Sequence, residues 1–583
     1  MGRNGAEIEN LAVGDRKIVE VCPMTTDKKP VALLADILIQ KGLGFLVHSP
    51  GSRNAPIIIA FGQSKKVKIF TVVDERSAAF FALGIALATG KTVAIDCTSG
   101  TAALNYAPAI AEAYYQHIPL LVLTADRSPQ FIDIGDGQTI RQENLFANYI
   151  KNSYTLPQSI DGLEDFTLAE RIINMAMNRT IDEAPGSVHI NIPLDEPLYG
   201  LTETESRGRL INSTPSFSDS IENFPEIFID QWRTSKKLMV IAGQLNPNPH
   251  LNEVLKLIME KQMAVILTET TSNLYHPGFI DGIDNALTAI RQEETDAFKP
   301  DLLITLGGAM VSKMVKKFLR DNQPENHWHI SISNEEMDTY FCLRGIIHSS
   351  PTEALLVLAN LPTDRSELFN QRWLEKKLDT NTKRERYLQR LEYSDLKVFN
   401  HILDHLPPDT CLHLGNSTPV RYSQLFGSRP HLNYFSNRGV SGIDGQISTA
   451  AGFASVSDKP NILITGDLGF LYDSNGLLLL KHCPNLKVIV INNQGGGIFR
   501  FIPGPDTVPD FEQYFEAQHN LKLEFLTKAF NINYLYADSL QTVDEKVHDL
   551  LYGKHEAQVL EISTPAEKNA EVLRNYFKGL RNR

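Results

Sequence analysis

Residues 461–499 read NILITGDLGFLYDSNGLLLLKHCPNLKVIVINNQGGGIF. Residues 462–465 and 488–491 have the length and β-branched composition of buried parallel strands, and residues 473–482 between them have the leucine-rich character of a helix. The stretch therefore predicts a β-α-β unit. Such a unit brings the carboxyl ends of neighbouring strands to one edge of a sheet, where open α/β folds bind ligands.

Oxygen-bearing groups follow both predicted strands. Gly466-Asp467 ends the first strand, and Asn493 with the carbonyl-rich turn 494–497 follows the second, about 25 residues later. Mg²⁺ prefers such oxygen ligands and completes its shell with water and phosphate oxygens. A unit-charge pair at about 4 Å contributes roughly 4 kcal/mol at an effective dielectric of 20, so the ion would dominate the binding of a buried diphosphate. An ordinary strand–turn pair of a Rossmann-like sheet is the alternative.

Composition and charge limit the class of protein. The chain has 583 residues, enough for roughly three or four domains, with 42% hydrophobic and 21% charged residues. The net charge of −13 argues against non-specific binding to nucleic acid or to acidic membranes. The five cysteines show no C-x-x-C spacing, and no run of about 18 apolar residues occurs. We therefore expect a protein without a membrane span in the reducing cytoplasm.

Strand and helix patterns alternate along most of the chain, which predicts an α/β fold of three domains with mostly parallel sheets. We place the domains at residues 1–200, 201–395 and 396–583, with a polar linker at 202–220 and a charged, helical connection at 366–406. The first 25 or so residues resemble an appendage. Gly307-Gly308 is a weak indication of a dinucleotide turn, because no full G-x-G-x-x-G motif opens a helix there.

Glu75 is the candidate acid of the first domain. It follows a predicted buried strand in the segment Thr71-Val-Val-Asp-Glu-Arg-Ser77 and begins a predicted helix. A glutamate in the first turn often does no more than complement the helix dipole. The Gly-Asp and Asn-Asn strand ends, however, resemble the diphosphate–Mg²⁺ signature of thiamine-diphosphate enzymes. In those enzymes the cofactor also needs a carboxyl group that hydrogen-bonds its aminopyrimidine ring. Glu75 and the Asp467–Asn493 pair together fit both requirements.

Seven further motifs, in family order, sharpen this interpretation. They are Ser49-Pro-Gly-Ser-Arg53-Asn-Ala-Pro56, Asp74-Glu-Arg-Ser77, Thr98-Ser-Gly-Thr-Ala-Ala103, Thr124-Ala-Asp-Arg127, Gly415-Asn-Ser417, Ser436-Asn-Arg-Gly439 and Ser441-Gly-Ile-Asp-Gly445. With them the chain resembles the 2-succinyl-5-enolpyruvyl-6-hydroxy-3-cyclohexene-1-carboxylate (SEPHCHC) synthase family of menaquinone biosynthesis, a branch of the thiamine-diphosphate enzymes. Leu468 replaces the glycine that commonly follows the aspartate in those enzymes, as it does in this family.

The resemblance implies a transferase that decarboxylates 2-oxoglutarate and adds the succinyl semialdehyde carbanion to isochorismate. It implies thiamine diphosphate with Mg²⁺ or Mn²⁺, held between an aminopyrimidine-binding (PYR) first domain and a diphosphate-binding (PP) third domain. It also implies a homodimer or homotetramer, in which Glu75 and Asp467 of one site belong to different chains.

The same resemblance implies the site residues. Glu75 would be catalytic. The cofactor would contact Glu75, Ser441, Ile443, Gly466, Asp467, Leu468 and Asn493. The metal would be bound by Asp467, Asn493 and the Gly495 carbonyl. The substrates would contact Ser52, Arg53, Arg127, Gln138, Ser417, Arg421, Arg438, Ile498 and Phe499, and the family also uses a basic residue of the middle domain that no motif locates.

Other interpretations stay open from the sequence. Each arginine alone could form a surface ion pair, and Ile443 could be a core residue. The nearest alternative function is another thiamine-diphosphate carboligase or decarboxylase, such as an acetohydroxyacid synthase, or an oxidase with flavin in its middle domain. A nonenzymatic descendant of the fold and a nicotinamide dehydrogenase are weaker alternatives.

Overall fold

The computed structural model describes residues 24–581, except 63, 204–207, 214–223, 334, 364, 502–503, 505–507 and 554–557. The predicted N-terminal appendage and much of the predicted linker at 202–220 therefore lie outside the described residues. Within the described residues, no helix is both long enough and apolar enough to cross a membrane.

The first unit is a parallel sheet covered by helices. Its elements are β1 (Met24–Thr26), α1 (Lys29–Gln40), β2 (Phe45–His48), α2 (Ala55–Gly62), β3 (Lys68–Thr71), α3 (Glu75–Thr89), β4 (Val93–Cys97), α4 (Thr101–Asn105), α5 (Ala107–Gln116), β5 (Leu120–Asp126), β6 (Asn152–Thr155), α6 (Leu163–Arg179), β7 (Val188–Pro193) and β8 (Leu201–Glu203). The strand order is β3-β2-β4-β5-β7-β6, with all neighbours parallel, while β1 and β8 form a separate antiparallel pair.

The middle unit has a five-stranded parallel sheet with the order β10-β9-β11-β12-β13. Its elements are α7 (Glu226–Thr234), β9 (Leu238–Ala242), α8 (Pro249–Glu260), β10 (Val265–Thr268), α9 (Ile283–Ala289), α10 (Thr295–Phe298), β11 (Leu302–Leu306), α11 (Lys313–Asp321), β12 (Asn326–Ser331), β13 (Gly345–His348), α12 (Pro351–Ala359) and α13 (Glu367–Gln389). The predicted charged helical connection corresponds to α13 and to the first helix of the third unit.

The third unit repeats the topology of the first. Its elements are α14 (Asp395–His405), β14 (Thr410–Leu414), α15 (Thr418–Phe426), β15 (Leu432–Phe435), α16 (Gln446–Ala454), β16 (Asn461–Gly466), α17 (Asp467–Tyr472), β17 (Leu486–Asn492), α18 (Leu523–Ala529), β18 (Asn533–Ala537), α19 (Leu540–Tyr552), β19 (Gln558–Ser563) and α20 (Ala566–Arg581). The order β15-β14-β16-β17-β19-β18 matches that of the first sheet strand for strand. The shared topology supports the idea of a duplicated ancestor.

Local sequence explains where α3 begins and ends. The Asp74 side chain accepts a hydrogen bond from the backbone N–H of Ser77 at the start of the helix, and Gly90 ends it in the left-handed conformation. Ten of its residues are buried, so α3 is an internal helix and lacks a strongly polar face. It is therefore positioned by packing as well as by its caps.

The first and third units share one hydrophobic core through α3 and α16. Phe80 and Phe81 of α3 belong to the same buried cluster as Ile447 and Ala450 of α16. A Cβ on Gly84 would lie 2.0 Å from the carbonyl oxygen of Thr449, so glycine is required where the two helices cross. The two outer units are thus packed together within one chain.

The predicted β-α-β unit is present, but its helix begins earlier than we expected. The α-helix starts at Asp467, directly after β16, and the predicted segment 473–482 is mostly a 3₁₀-helix at Ser474–His482. The Asp473 side chain separates the two helices, because it accepts hydrogen bonds from the N–H and the hydroxyl of Ser448 at 2.8 and 2.9 Å. A leucine-rich composition cannot reveal this tertiary bond.

Candidate active site

The candidate site lies where the strand order of the third sheet reverses. Strands β14 and β16 are neighbours there, and their connections leave the sheet in opposite directions. This arrangement opens a crevice at the carboxyl ends of the strands, the usual ligand site of such folds. Asn416 and Ser417 follow β14, Gly466 and Asp467 follow β16, and Asn493 follows β17.

Asp467 organises the predicted metal site. Its carboxylate is buried and accepts hydrogen bonds from the N–H of Leu468 at 2.7 Å and the N–H of Gly495 at 2.8 Å. Nε2 of His519 lies 3.2 Å from the same carboxylate, and this bond raises the pKa of His519. The structure thus brings Asp467 and the Gly495 turn together.

Asn493 precedes the Gly495 turn, and a buried carboxylate orients its side chain. Its side-chain NH₂ donates to the carboxylate of Asp395 at 3.2 Å, and burial raises the pKa of Asp395 to about 6. Gly495 has a φ of +150°, and a Cβ there would lie 2.6 Å from the carbonyl oxygen of Glu516. Glycine is therefore required by the backbone conformation of this turn.

The residues present fit a metal-bound diphosphate. A carboxylate, an amide oxygen and a backbone carbonyl form a hard-oxygen donor set of the kind that Mg²⁺ prefers. A Cβ on Gly466 would meet no atom within 4 Å, so there is open space beside the end of the strand. The buried Nε2 of Gln446 nearby has no hydrogen-bond partner in the described part of the chain.

Glu75 is the first residue of α3 and is half-buried. Its two neighbours both contact the third unit: Asp74 accepts from Nδ2 of Asn475 at 2.6 Å, and Arg76 donates to the carbonyl of Tyr472 at 2.7 Å. Tyr472 is the last residue of the helix that Asp467 begins, and six helical residues span about 9 Å. The start of α3 therefore contacts this helix at the end opposite Asp467.

Two other predicted cofactor contacts, Ser441 and Ile443, lie in the loop before α16. Nδ2 of Asn416 donates to the carbonyls of Asn437 and Gly442, both at 2.6 Å. Ser441 adopts a positive φ of +65°, and Ile443 is 37% exposed. Ile443 is thus not a core residue in this chain, and its apolar surface is available to a ligand.

Two of the predicted arginines lie near each other at the carboxyl edge of the first sheet. Arg53 is buried and donates to the carbonyl of Leu194 at 2.8 Å. Burial lowers its pKa, and the nearby positive charge of Arg127 lowers it further. Arg127 pairs with Asp136 at 3.0 Å.

The two neutral candidates of the first unit differ in exposure. Gln138 has a positive φ of +57° and donates to the carbonyl of Ser99 at 3.1 Å. Ser52, in contrast, is exposed to solvent.

The other two arginines form a second group in the third unit. Nη1 of Arg438 donates to Oδ1 of Asn416 at 2.9 Å, and Nη1 of Arg421 lies 3.4 Å from the carbonyl of Val311. Burial lowers the pKa of both, and Arg421 also lowers that of Arg438. The Nε atoms of both are buried and make no hydrogen bond to the described residues, so each guanidinium retains donor capacity.

A cavity of about 150 Å³ opens beside Arg421 and Ile498. It is also lined by Lys313, the first residue of α11 in the middle unit, directly after the capping residue Ser312. Phe499 does not line it and packs instead against Phe515, with ring centroids 6.1 Å apart. Lys313 thus places a cation of the middle unit in the same cavity as Arg421, a position that the sequence motifs did not locate.

A buried acid supports the start of α11. The Glu269 carboxylate accepts from the N–H groups of Val311 and Ser312, both at 2.7 Å, and burial raises its pKa to about 7. Lys316, one turn into the helix, is half-buried, and its pKa is lowered mainly by burial. The Ser-Lys-x-x-Lys pattern at a helix start was the sequence signal for this basic edge.

The sequence also gave little indication of a polar network under the Ser49–Arg53 loop. His48 ends β2, and its Nδ1 lies 3.0 Å from the buried carboxylate of Asp96 on β4. Nδ2 of Asn54 donates to the same carboxylate at 2.7 Å and to the carbonyl of Ser49 at 2.9 Å. His48 thus belongs to the hydrogen-bond network that supports this loop through Asp96 and Asn54, a role that its position at a strand end did not predict.

Comparisons with known proteins identify the family of the chain. Three thiamine pyrophosphate enzyme models match the chain: the N-terminal TPP binding domain at residues 29–146, the middle domain at 218–414 and the C-terminal TPP binding domain at 415–562. Thiamine pyrophosphate is the same compound as thiamine diphosphate.

Curated relatives cover nearly the whole chain, and those described here are named 2-succinyl-5-enolpyruvyl-6-hydroxy-3-cyclohexene-1-carboxylate synthase. The protein of Flavobacterium johnsoniae is 42% identical over 94% of this chain and 98% of its own length. Those of Flavobacterium psychrophilum and Porphyromonas gingivalis are 40% and 37% identical over 96% and 95% of this chain, and over 100% and 97% of their own lengths. The chain therefore belongs to the SEPHCHC synthase family of thiamine-diphosphate enzymes.

Proposed function

We propose that this chain catalyses the thiamine-diphosphate-dependent decarboxylation of 2-oxoglutarate and the addition of the resulting succinyl unit to isochorismate. The products are SEPHCHC and CO₂, and the reaction belongs to menaquinone biosynthesis. The observation that carries this proposal is the placement of Asp467, Asn493 and Gly495 at the strand edge of a chain related to these synthases over nearly its full length.

The cofactor, when bound, supplies the carbon centre that stabilises the negative charge left by decarboxylation. Glu75 would hydrogen-bond the aminopyrimidine ring, and Ile443 and Ser441 would also contact the cofactor. Gly466 and Leu468 would contact its diphosphate. Asp467, Asn493 and the carbonyl of Gly495 would bind Mg²⁺ or Mn²⁺, which accept the same oxygen ligands.

The cationic groups hold the substrates, both of which are dicarboxylates. Buried guanidinium groups with unused donors suit this task, since a charge-assisted hydrogen bond contributes about 1.5–3 kcal/mol. Arg421, Arg438 and Lys313 form one cluster. Ile498 lines the same cavity as Arg421, and Ser417 directly precedes Thr418, which also lines it. The second cluster is made up of Arg53 and Arg127, with Ser52 and Gln138 beside them. Phe499 is a weaker candidate because it packs against Phe515.

We also propose that the active enzyme is a homodimer or homotetramer in which the two clusters of different chains share a site. Exposed apolar side chains beside the candidate site support this, since Val73 is 74% exposed two residues before Glu75. The proposed boundary near residue 395 is supported by α14, whose Leu396 and Phe399 pack in the core of the third unit. The proposed boundary near residue 200 follows β7, the last strand of the first sheet along the chain. We place the enzyme in the cytoplasm because the sequence shows no disulfide framework.

The deciding experiment is CO₂ release from 2-oxoglutarate with and without isochorismate, each with and without thiamine diphosphate and Mg²⁺. We expect full turnover only when all four are present, with SEPHCHC as the product. Efficient turnover of pyruvate alone, or a yellow purified protein, would instead favour an acetohydroxyacid synthase-like enzyme or a flavin-containing oxidase.

The middle unit gives no support to the flavin alternative. The Gly307-Gly308 pair lets two turns pack closely, because a Cβ on Gly243 would lie 1.9 Å from the carbonyl oxygen of Gly308. The cavity beside these glycines is only about 10 Å³.

A further inference from the structure

A second group of potential metal ligands lies on the outer layer of the third unit, away from the strand edge. It is made up of His401 and His405 on α14 and Asp544 on α19. Their ligand atoms all lie within 4.8 Å of one another, and no other set of three His, Cys, Asp or Glu side chains among the described residues does so. The two histidines are four residues apart and therefore share one face of the helix.

The distances suit a tetrahedral ion. Nε2 of His401 lies 3.2 Å from Oδ1 of Asp544, and Nε2 of His405 lies 3.8 Å from the same oxygen. With metal–ligand bonds of 2.0–2.1 Å, two ligands of a tetrahedral Zn²⁺ are about 3.3 Å apart. A small rotation of the half-exposed His405 ring would thus complete three corners of the tetrahedron.

The hydrogen bonds leave both Nε2 atoms suited to bind a metal. Nδ1 of His405 lies 2.7 Å from the backbone carbonyl of His401, so it carries the proton and Nε2 carries the lone pair. This bond also selects the tautomer of His405, as carbonyl partners commonly do behind metal-ligating histidines. Nε2 of His401 is buried and makes no well-aligned hydrogen bond to the described residues.

The surroundings leave one side of the group open. The neighbouring acid Asp404 is already paired with Arg429 at 2.6 Å and accepts from Asn400 at 3.0 Å. The side chains of His405 and Asp544 are 45% and 63% exposed. Water can therefore reach the fourth corner of the tetrahedron.

We propose that His401, His405 and Asp544 bind one Zn²⁺ ion, with water as the fourth ligand, and that the ion joins α14 to α19. Two imidazole nitrogens with one carboxylate favour Zn²⁺ over the Mg²⁺ that suits the oxygen ligands near Asp467. The first residue of α14 is Asp395, which orients Asn493. The ion would thus stabilise α14 near its C-terminal end, while Asp395 at the other end of the helix supports the predicted diphosphate site.

The test is a calorimetric titration of Zn²⁺ into the chelator-treated full chain, with thiamine diphosphate and saturating Mg²⁺ present throughout. We expect the wild type and the control His250→Gln, an exposed histidine on α8, to bind one more Zn²⁺ than the double variant His401→Gln/His405→Gln. Asp544→Asn should weaken that site on the order of 10-fold or more. Co²⁺ should give the intense visible absorption of a tetrahedral ion only in the wild type and the control.

Equal Zn²⁺ stoichiometry and affinity in the wild type and the double variant would overturn the proposal. Far-UV circular dichroism without Zn²⁺ checks that the double variant is folded. If it is not, Asp544→Asn decides the question, because its side chain is mostly exposed and its loss costs no core packing. An unchanged Zn²⁺ affinity in Asp544→Asn would then equally refute the site.

Discussion

At the scale of single residues, Asp467 shows how one side chain can organise a site. Its carboxylate connects the end of β16 to the turn after β17 and to His519, three segments that are far apart in the sequence. Its buried charge is offset by N–H donors on several sides, which suits a group that is also to face a cation.

Glu75→Gln should abolish most turnover while leaving cofactor binding intact, because the amide keeps the size of the side chain but cannot hold the proton. General acid–base groups commonly contribute about 10²–10⁴-fold, so a loss of at least 100-fold is expected in steady-state kinetics. The matched control is Glu164→Gln, a first-turn glutamate of α6. Equal activity in both variants would show that Glu75 does no more than complement the helix dipole.

Lys313→Gln should raise the KM for one of the two substrates, on the order of 10-fold, because one charge-assisted hydrogen bond would be lost. Lys317→Gln is the control on the same helix, since its side chain is 79% exposed and pairs only with Asp321 among the described residues. Initial-rate measurements with each substrate varied in turn distinguish the two. Matching KM values for Lys313→Gln and the wild type would exclude Lys313 from the substrate site.

At the scale of elements, the crossing of α3 and α16 holds the two outer units together. Small residues let the helices approach backbone to backbone, so the position of Glu75 relative to the third unit depends on this packing. Further polar contacts act beside it. Glu112 of α5 accepts from the N–H groups of Gly439 and Val440 at 2.6 and 2.7 Å.

Gly452→Ala should destabilise the protein by about 1–3 kcal/mol, because the added methyl group would lie 1.9 Å from the carbonyl of Phe81 and force the helices apart. Gly579→Ala in α20 is the control, since a Cβ there meets no atom within 4 Å. We expect that variant to be neutral or slightly more stable, given the better helix propensity of alanine. Urea denaturation compares the two, and equal stabilities would show that the crossing tolerates a side chain.

Asp473 should give the protein a pH-dependent stability. Burial raises its pKa from 3.8 to about 7, so the folded chain keeps a proton that the unfolded chain releases near pH 4. Between these two pH values the folded state therefore binds more protons than the unfolded state. The contribution of Asp473 to the unfolding free energy then falls as the pH rises from about 4 to 7. The wild type should therefore lose stability relative to Asp473→Asn across this window, and a constant difference in urea denaturation would contradict the assignment.

At the scale of the whole molecule, the two candidate arginine clusters belong to different units. Arg53 lies near Arg127 in the first unit, and Arg438 lies near Arg421 in the third. A site shared between two chains would bring the Arg53–Arg127 cluster of one chain to the Arg421–Arg438 cluster of the other. Exposed apolar side chains near the candidate residues are consistent with such an interface. They include Val73, Val440 and Tyr472.

Val73→Asp should shift the protein toward monomer and lower its activity in parallel, because a charge buried in an apolar interface is costly to desolvate. Leu163→Asp is the control, as this side chain is 80% exposed at the start of α6, where an acidic residue is favourable. Sedimentation velocity with parallel rate measurements tests both. A monomeric wild type of about 65.2 kDa with full activity would refute a site shared between chains.

Much of the fold could be predicted from short stretches, because buried parallel strands are continuous apolar runs bounded by turns. β11 (Leu302–Leu306) is such a run, and α3 (Glu75–Thr89) begins at the glutamate that the sequence placed at a helix start. The edge strand β6 carries no such signal, because Asn152–Thr155 is polar and half-exposed. The strand β13 carries little signal, because Gly345 opens a run of only four residues.

The sequence by itself determined the α/β class, the two strand ends that carry Asp467 and Asn493, and the family, since each of these is expressed in contiguous motifs. Only the tertiary structure decided that Lys313 joins Arg421, that Asp395 orients Asn493, and that His401, His405 and Asp544 converge. The physical reason is that these side chains are distant in sequence and meet only through the packing of separate helices. No local pattern records such a contact.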